Sequence, residues 1–399
     1  MPEPTTYKAG WTTVALGDVV RLSMERSSNP ESDGFERFVG LEHIEPGDLR
    51  VRRWGDIADG TTFTTVFRPG QVLFGKRRAY QRKVAVAEFS GVCSGDIYVL
   101  EPKGKDLLPD LLPFICQTDA FFEHAVGTSA GSLSPRTNWT SLSGFEFVLP
   151  PIEEQRRFVT TLSATEAGLN THRALVETLY RLRQASIDHF TGVSGGETAR
   201  LGEHCEMQNG RPFPGDEYCD DGVQLLRPGN LSPTGYLDWE ASKTKRVSAR
   251  YLAEAADFLI GPGDVVINLT AQSLEDGFMG RVCIARDQDR CLLNQRIGRF
   301  TSYSSRLLPE YLYRTLQSGR FKAHAISMCE GSKIKHLFWQ HLDHFVIRLP
   351  HVDEQRAVTE TLRDVDQRLG EAGARVHRLA AIKDTMLAAL ADAHGTVAT

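Results

Sequence analysis

Apolar residues recur at alternating steps of three and four along two stretches of the chain, a spacing typical of the seam between paired helices. In the second stretch they are Val358, Leu362, Val365, Leu369, Ala372, Val376 and Leu379, followed by Ile382, Met386 and Leu390. Subtracting 200 gives the first stretch: Phe158, Leu162, Leu169, Val176 and Leu179, with the polar residues Thr165 and His172 at two of the positions. The pattern predicts two long helices paired as an antiparallel coiled coil. The alternative is that each helix packs separately on its own domain.

Nearly the same phrase precedes each helix. It reads LPPIEEQR at 149–156 and LPHVDEQR at 349–356. An alternating apolar run, typical of a strand, leads into each phrase, and the proline ends the strand because it has no N–H for the sheet. Acidic residues then fall in the first helical turn, where unpaired N–H groups favour negative charge. Each phrase therefore predicts the end of a strand joined directly to the start of a helix.

The rest of the chain is a duplicated module. A Pro-Gly turn followed by an apolar strand occurs at 69–74 and again at 262–267, and a proline-started helix begins at Pro109 and at Pro309. Many short strands and a few helices in each copy predict an α+β fold. The predicted boundaries are 1–150 for the first module, 151–190 for the first helix, 191–199 for a linker, 200–350 for the second module and 351–393 for the second helix.

Composition narrows the class of protein. The 399 residues, 41% hydrophobic and 24% charged, are typical of two or three globular domains. The sequence has no membrane-spanning run and no signal-peptide pattern, and its seven cysteines lack CxxC spacing, so we expect reduced thiols in a cytoplasmic protein without membrane association. A net charge of −5 does not indicate nucleic-acid binding. Local charge must therefore carry any such prediction.

Basic and polar residues cluster after the strand that ends at Phe74. They are Lys76, Arg77, Arg78, Tyr80, Gln81, Arg82 and Lys83. Arginine can form two hydrogen bonds with guanine, glutamine can pair with adenine, and both basic residue types neutralise phosphates. The cluster predicts DNA contact, although a solvated basic loop is the alternative.

The matching place in the second module offers Asn268 and Gln272, but Glu275 and Asp276 intrude. A glycine-containing loop also precedes the last strand of each module. It carries Arg136 in the first module, and Lys333 and Lys335 in the second. We expect these loops to follow a phosphate backbone or enter a groove, with a surface role as the alternative.

The doubled module, the two joints and the PGQVLFGKRR stretch at 69–78 resemble the DNA-specificity subunit of type I restriction-modification systems. This resemblance implies two target-recognition domains, each reading half of an interrupted sequence in double-stranded DNA, with antiparallel helices setting the spacer. It further implies that DNA methyltransferase subunits dock on the helices and that a motor-nuclease restriction subunit joins for cleavage. S-adenosylmethionine and ATP would bind those partners, and this chain would hold no cofactor. His351 departs from the pattern by replacing the second proline of the joint.

An enzyme is the main competing interpretation. The GxxxxGK spacing at 70–76 has Arg77 where a phosphate-binding loop needs Ser or Thr. Asp96, Glu101 and Lys103 loosely match a metal-dependent nuclease trio, but the second module carries no carboxylate in the corresponding stretch. We therefore expect a non-catalytic chain without a metal. A third interpretation is a symmetric protein scaffold that does not bind DNA, whose interactions would respond little to salt.

Overall fold

The computed structural model describes residues 10–391, which fall into two compact units. Within the described residues, unit 1 comprises 10–173 and 374–391, and unit 2 comprises Ala174–Gly373. Each unit thus takes in one repeated module and one half of each long helix. The module boundaries at 150 and 350 stay predictions.

Unit 1 is built on two four-stranded sheets. Its strands are β1 Thr12–Ala15, β2 Val20–Leu22, β3 Arg37–Val39, β4 Gly55–Asp56, β5 Thr65–Phe67, β6 Val72–Gly75, β7 Val84–Val86, β8 Gly91–Cys93, β9 Ile97–Pro102 and β10 Glu146–Leu149. The sheets have the orders β2-β9-β6-β7 and β4-β3-β8-β5, and β1 pairs with β10. In β6, buried side chains face both sheet surfaces, as the apolar run after the Pro-Gly turn predicts.

Helices pack against the sheet residues of unit 1. They are α1 Leu16–Val19, α2 Leu112–Ile115, α3 Asp119–Gly127, α4 Trp139–Leu142 and the first part of α5 Ile152–Thr191. The main core joins Phe74 of β6 with Phe121 of α3 and Leu162 of α5. The first half of the long helix is therefore part of the same hydrophobic core as the sheet beside it.

Unit 2 repeats this plan with longer loops. Its strands are β11 Thr198–Arg200, β12 Glu206–Asn209, β13 Tyr218–Cys219, β14 Val223–Leu226, β15 Lys245–Val247, β16 Leu259–Ile260, β17 Val265–Asn268, β18 Thr270–Ala271, β19 Val282–Ile284, β20 Cys291–Leu293, β21 Ile297–Thr301, β22 Lys335–His336 and β23 Val346–Arg348. The sheet orders are β12-β21-β17-β19 and β13-β15-β14-β20-β16, with β11-β23 and β18-β22 as separate pairs.

Three short helices of unit 2 lie 200 residues after α2, α3 and α4 of unit 1, and one further helix precedes them. The helices of unit 2 are α6 Tyr251–Glu254, α7 Pro309–Thr315, α8 Gly319–Met328, α9 Trp339–Leu342 and the first part of α10 Val352–Ala391. Phe300, Phe321 and Leu362 share the main core of this unit. The mixed sheets and helices of both units confirm the predicted α+β class.

A buried glutamine locks each strand-to-helix joint. The Gln155 amide donates to the carbonyls of Asp106 (2.7 Å) and Pro150 (2.9 Å), and its Oε1 accepts from the Leu108 N–H at 2.9 Å. Gln355 makes the same three bonds with Arg306, Pro350 and Leu308, at 2.7, 2.9 and 2.9 Å. The repeated phrase therefore encodes a helix start that is hydrogen-bonded to the loop before the proline-started helix.

The two long helices, α5 and α10, are each 40 residues long. In unit 1 the N-terminal half of α5 packs on the C-terminal half of α10, and Leu162, Leu387 and Leu390 share one core. In unit 2 the opposite halves meet, and Ile187, Val358 and Leu362 share one core. The helices therefore pair antiparallel within each unit. The predicted end of α10 at 393 lies outside the described residues.

Candidate nucleic-acid interface

A tight turn after β6 carries the basic cluster predicted from the sequence. Arg78 and Arg82 both adopt the left-handed backbone conformation, with φ of 55°. Residues other than glycine rarely adopt it, and it often marks functional positions. The two arginines bracket a single helical turn at Ala79–Gln81, in which Ala79 is buried and Tyr80 is 56% exposed. The turn therefore presents Tyr80 to solvent between two arginine side chains.

A hairpin at 130–136 lies against this turn. Ala130 and Arg136 exchange two backbone hydrogen bonds of 3.0 Å, and Gly131, with φ of 109°, permits the reversal of the chain. The Arg78 N–H donates to the Pro135 carbonyl at 2.7 Å, and the Thr137 N–H donates to the Lys76 carbonyl at 3.1 Å. The turn and the hairpin therefore form one surface, although they are far apart in sequence.

Asp96 organises the arginines of this surface. Its carboxylate pairs with Arg77 at 3.1 Å and with Arg136 at 3.0 Å. Ser134 Oγ also accepts from Arg77 Nε at 2.9 Å and from Arg78 Nε at 3.2 Å. Asp96 thus acts as an anchor for two guanidinium groups. Glu101, the other acidic member of the nuclease-like trio, instead pairs with Arg21 at 2.7 Å.

The remaining residues of the predicted cluster differ in their availability. Lys76 is half-buried with its ammonium group 4.3 Å from the centre of the Tyr98 ring, and burial lowers the pKa of Lys76. Lys83 donates to the Leu41 carbonyl at 2.7 Å. Arg82 stacks on Phe122 and pairs with Asp119 at 2.5 Å. We name the outward part of this region the first basic face, consisting of Arg77, Arg78, Tyr80, Gln81, Arg82 and Arg136.

Unit 2 contains the same backbone arrangement with different side chains. Strand β18 pairs with β22, and Thr270 stands opposite His336. In unit 1 the equivalent bridge joins Arg77 to Arg136. The hairpin at 330–336 is closed by Glu330 and His336, and its Gly331 has φ of 108°. Lys333 is exposed in this hairpin, Lys335 is half-buried on β22, and Gln272 is exposed just after β18.

Asn268 is a correction to the predicted set of DNA contacts. Its side chain is fully buried at 0% exposure, and its amide donates to the carbonyls of Thr270 (2.8 Å) and Phe278 (2.7 Å). It therefore holds the loop after β17 in place and does not reach a ligand at the surface. A polar residue at the end of an apolar strand gave no sign of this burial.

Sequence reasoning missed Arg296, which is exposed at the position equivalent to Asp96. Ile97 and Ile297 both begin strands and both close a turn by bonding back three residues, to Ser94 and to Asn294 at 2.9 Å. The constant offset of 200 between these strands was the signal that identifies Arg296. We name Thr270, Gln272, Arg296, Lys333, Lys335 and His336 the second polar face.

The predicted helix-pairing residues lie along one side of each helix. Leu162, Leu169, Val358 and Leu362 are buried, and Phe158, Val176, Leu179, Val365, Leu369, Val376 and Leu379 are partly buried. The polar seam residues bond within their own helix: Thr165 Oγ1 donates to the Thr161 carbonyl at 2.8 Å, and His172 Nδ1 lies 2.8 Å from the Gly168 carbonyl. Near the end of α10 the expected continuation at Ile382 is wrong. Ile382 is 49% exposed, and the seam instead passes through Lys383 and Leu387, which are buried.

Two buried ion pairs in the helix pairs were also missed. In unit 1 Lys383 pairs with Glu166 at 2.7 Å, and in unit 2 Arg183 pairs with Asp366 at 2.5 Å. Arg314 pairs with the same Asp366 at 2.6 Å, and Tyr236 donates to it at 2.9 Å. Burial alone would raise the pKa of Asp366, but the charges of Arg314 and Arg183 outweigh burial and lower it. The 200-residue offset relates Glu166 to Asp366 and Arg183 to Lys383.

Among residues 10–391, no group of three or more His, Cys, Asp or Glu side chains is arranged to hold a metal ion. Over the same part of the chain, no helix combines the length and apolar character needed to span a membrane. His341 is buried, and its Nε2 lies 3.2 Å from a carboxylate oxygen of Glu330. The fold and the surfaces define a binding protein with two repeated modules.

Comparison with known proteins gives the family. The family model described as type I restriction modification DNA specificity domain matches residues 8–179 and 194–373. The type I restriction enzyme MjaVIII specificity subunit of Methanocaldococcus jannaschii is 23% identical over 387 residues, which cover 89% of this chain and 86% of that protein. The EcoDI specificity subunit of Escherichia coli is 31% identical over 131 residues, or 32% of this chain and 29% of that protein.

Solved structures share the fold. The S subunit of a type I restriction-modification system from M. genitalium matches with a TM-score of 0.64 at 14% identity, covering 98% of each chain. A structure described in work on complex assembly and conformational transition of the type I R-M system matches with a TM-score of 0.55 at 20% identity, covering 98% of this chain and 100% of that one. The chain belongs to the type I restriction modification DNA specificity domain family. It is a non-catalytic subunit that recognises DNA, and the scaffold and nuclease alternatives are not favoured.

Proposed function

We propose that each module reads one half of a bipartite DNA target through its own surface, the first basic face in unit 1 and the second polar face in unit 2. The observation that carries this proposal is the repeated hairpin and turn, in which one backbone frame presents Arg77 and Arg136 in one unit and Thr270 and His336 in the other. A fixed frame with exchanged side chains suits recognition of two different half-sites, because side chains read base edges.

The long helices supply the rest of the proposal. They set the number of unread base pairs between the half-sites and offer docking surfaces to DNA methyltransferase subunits, which a motor-nuclease restriction subunit joins for cleavage. S-adenosylmethionine and ATP bind those partners and not this chain. The assembly works in the cytoplasm, in keeping with seven cysteines that are all free thiols.

The test begins with the methylated sequence. The full chain is co-expressed with its methyltransferase subunits, and the modified motif is mapped by sequencing methylated plasmid DNA. We expect an interrupted motif with two unlike halves. A continuous motif, or no sequence-dependent methylation, would contradict the proposal.

Charge reversal at Arg78 then tests the first basic face. Arg78→Glu in the intact complex should weaken binding to the mapped duplex roughly tenfold or more at fixed salt, since it removes one phosphate or base contact and adds repulsion. Lys105→Glu is the matched control, because Lys105 is exposed in the loop beyond the opposite end of β9 from Asp96. Equal losses from both variants would show that Arg78 acts only through net charge.

The spacer is tested by a paired deletion of 171–177 and 371–377. These heptads exclude all four residues of the two buried helix–helix ion pairs, so both pairs can re-form. Seven helical residues span about 10 Å, close to three base pairs of DNA. The mapped motif should keep both halves and lose about three unread base pairs, whereas an unchanged spacer would rule out the helices as its determinant.

A further inference from the structure

Leu133 projects from the tip of the hairpin at 130–136 and is 91% exposed, more than any other large apolar residue that the structure describes. Most exposed leucines keep part of their surface against neighbouring side chains, but this one stands almost entirely in water. Such exposure carries a cost in hydrophobic free energy that is recovered when a partner covers the side chain.

The hairpin that carries Leu133 is held firmly at its base. Two backbone bonds join Ala130 to Arg136, and the Pro135 carbonyl accepts from the Arg78 N–H at 2.7 Å. Ser134, directly after Leu133, accepts from Arg77 at 2.9 Å. The tip is therefore positioned before any partner arrives, which lowers the entropy lost on binding.

Positive charge surrounds the base of this apolar tip. Arg77, Arg78 and Arg136 lie at the hairpin base or in the turn bonded to it. A protein partner for a lone leucine would offer an apolar pocket and would have to desolvate three guanidinium groups. Stacked DNA bases offer an apolar slot with phosphates on both sides, where the arginines gain instead of losing favourable interactions.

We propose that Leu133 is a wedge residue that inserts between two adjacent base pairs of the half-site read by unit 1, while the arginines at the hairpin base hold the flanking phosphates. This deepens the proposed function and rests on it. The insertion opens one base step, so the identity of that step enters recognition through its ease of unstacking.

The second module carries a built-in contrast. Its hairpin at 330–336 has the same length and the same glycine conformation, but Lys333 occupies the tip position equivalent to Leu133. A lysine at that point contacts phosphate and does not unstack bases. The wedge is therefore specific to one half-site.

The experiment uses the complex of the full chain with its methyltransferase subunits and duplexes of the mapped motif. In each duplex a single adenine is replaced by 2-aminopurine, a base whose fluorescence rises when it is unstacked, and positions across both half-sites are scanned. Bases that the methyltransferase itself unstacks are identified by a signal that persists in all variants. We expect one further fluorescent step, confined to one half-site, with wild-type protein.

Leu133→Ser should abolish that step and weaken specific binding roughly tenfold, because the base pairs lose their apolar partner. Leu133→Phe should retain it, since a larger apolar side chain can fill the same slot. Lys333→Ser is the matched control: it should leave fluorescence unchanged and lower the slope of log affinity against log salt by about one.

The possible outcomes distinguish a failure of the wedge proposal from a failure of the proposed function on which it rests. Specific binding by wild-type protein without any Leu133-dependent fluorescent step would overturn the wedge and leave two-module recognition intact. Failure of wild-type protein to bind any mapped duplex would overturn the proposed function itself. If Leu133→Ser released the methyltransferase subunits while the chain still bound DNA, Leu133 would be a protein contact and the wedge would be wrong.

Discussion

The first basic face and the second polar face differ in side chains while sharing a backbone. In unit 1 a carboxylate, Asp96, stands between Arg77 and Arg136. In unit 2 the equivalent positions hold Arg296, Thr270 and His336, so a single cation takes the place of a clamped arginine pair. The comparison teaches that the hairpin and the turn form a shared backbone, and that the side chains exposed on this backbone differ between the two units.

The two helix pairs also carry different side chains at equivalent positions, here in the interior of each unit. Arg183 forks between Asp366 and Gln317, with its second bond to Gln317 Oε1 at 2.7 Å. Lys383 reaches Glu166, while Gln117 Oε1 and Glu166 Oε1 stay buried without a hydrogen-bond partner. An arginine donates in several directions and a lysine ammonium is a point charge. Both carboxylate oxygens of Asp366 therefore accept hydrogen bonds, whereas one oxygen of Glu166 stays open, although Arg314 Nε in unit 2 is also buried without a partner.

Removing Asp366 should reduce stability more than any of the other substitutions, and the loss should fall on unit 2 and not on unit 1. Asp366→Ala leaves Arg183 and Arg314 buried without their anion and should cost about 3–5 kcal/mol of stability. Urea unfolding of the full chain measures it, with exposed Asp364→Ala as the matched control on the same helix. Equal losses for both variants would mean that the network does not stabilise unit 2.

The same group predicts a pH dependence. Because the folded-state pKa of Asp366 lies below its usual value, its contribution is present above the ordinary aspartate pKa of about 4. It is lost as the pH falls below that value through the lowered folded-state pKa. The stability difference between wild type and Asp366→Ala should therefore shrink between about pH 4 and more acidic conditions. A difference that stayed constant on acidification would argue against an ionised Asp366.

Replacing the buried glutamine of the strand-to-helix joint should lower stability by the same amount in the two units. Gln155→Ala or Gln355→Ala removes three equivalent hydrogen bonds and leaves buried backbone groups unsatisfied, for a loss of roughly 2–3 kcal/mol in each case. Exposed Gln367→Ala on α10 is the control, with little expected change. Clearly unequal losses at the two joints, measured by urea unfolding, would show that the repeat is not energetically symmetric.

Arg296 tests the second polar face. Arg296→Ala should weaken binding of the intact complex to its mapped duplex roughly tenfold and lower the salt slope by about one. Arg250→Ala is a control with a surface arginine paired to Glu217 in the same unit. Titration by fluorescence anisotropy at several salt concentrations measures both, and an effect no larger than that of the control would remove Arg296 from the face.

Exchanging the basic residue of one helix pair for that of the other, at positions 383 and 183, should change stability the least. Lys383 and Gln117 line the same cavity. Lys383→Arg therefore supplies a second donor direction toward Gln117 Oε1 and should add about 1 kcal/mol of stability. Arg183→Lys is the reciprocal change and should destabilise unit 2. If Lys383→Arg destabilised the protein, the space beside Gln117 would be too small for a guanidinium group.

Local pattern was enough for the repeat, the strand-to-helix joints, the α+β class and most of the helix seam. Seam residues repeat every three or four positions, and a proline after an alternating run ends a strand, so the information lies within a few residues of where it acts. Lys383 follows Leu379 by four residues, which is a spacing typical of the seam. It was missed as a seam residue because it is charged, and the hydrophobic pattern alone favoured Ile382.

Tertiary structure decided which polar residues are buried in the fold and which face solvent. Asn268 and Arg77 look alike as candidates in the sequence, but the first is enclosed by the loop that it bonds and the second is held at the surface by Asp96. In the sequence Asp366 looks like any other helical aspartate. Its ion pair with Arg314 and its hydrogen bond from Tyr236 involve residues that are distant along the chain. The physical reason is that periodicity and turn chemistry act between neighbours along the chain. Burial, ion pairing and exposure depend on residues that only folding brings together.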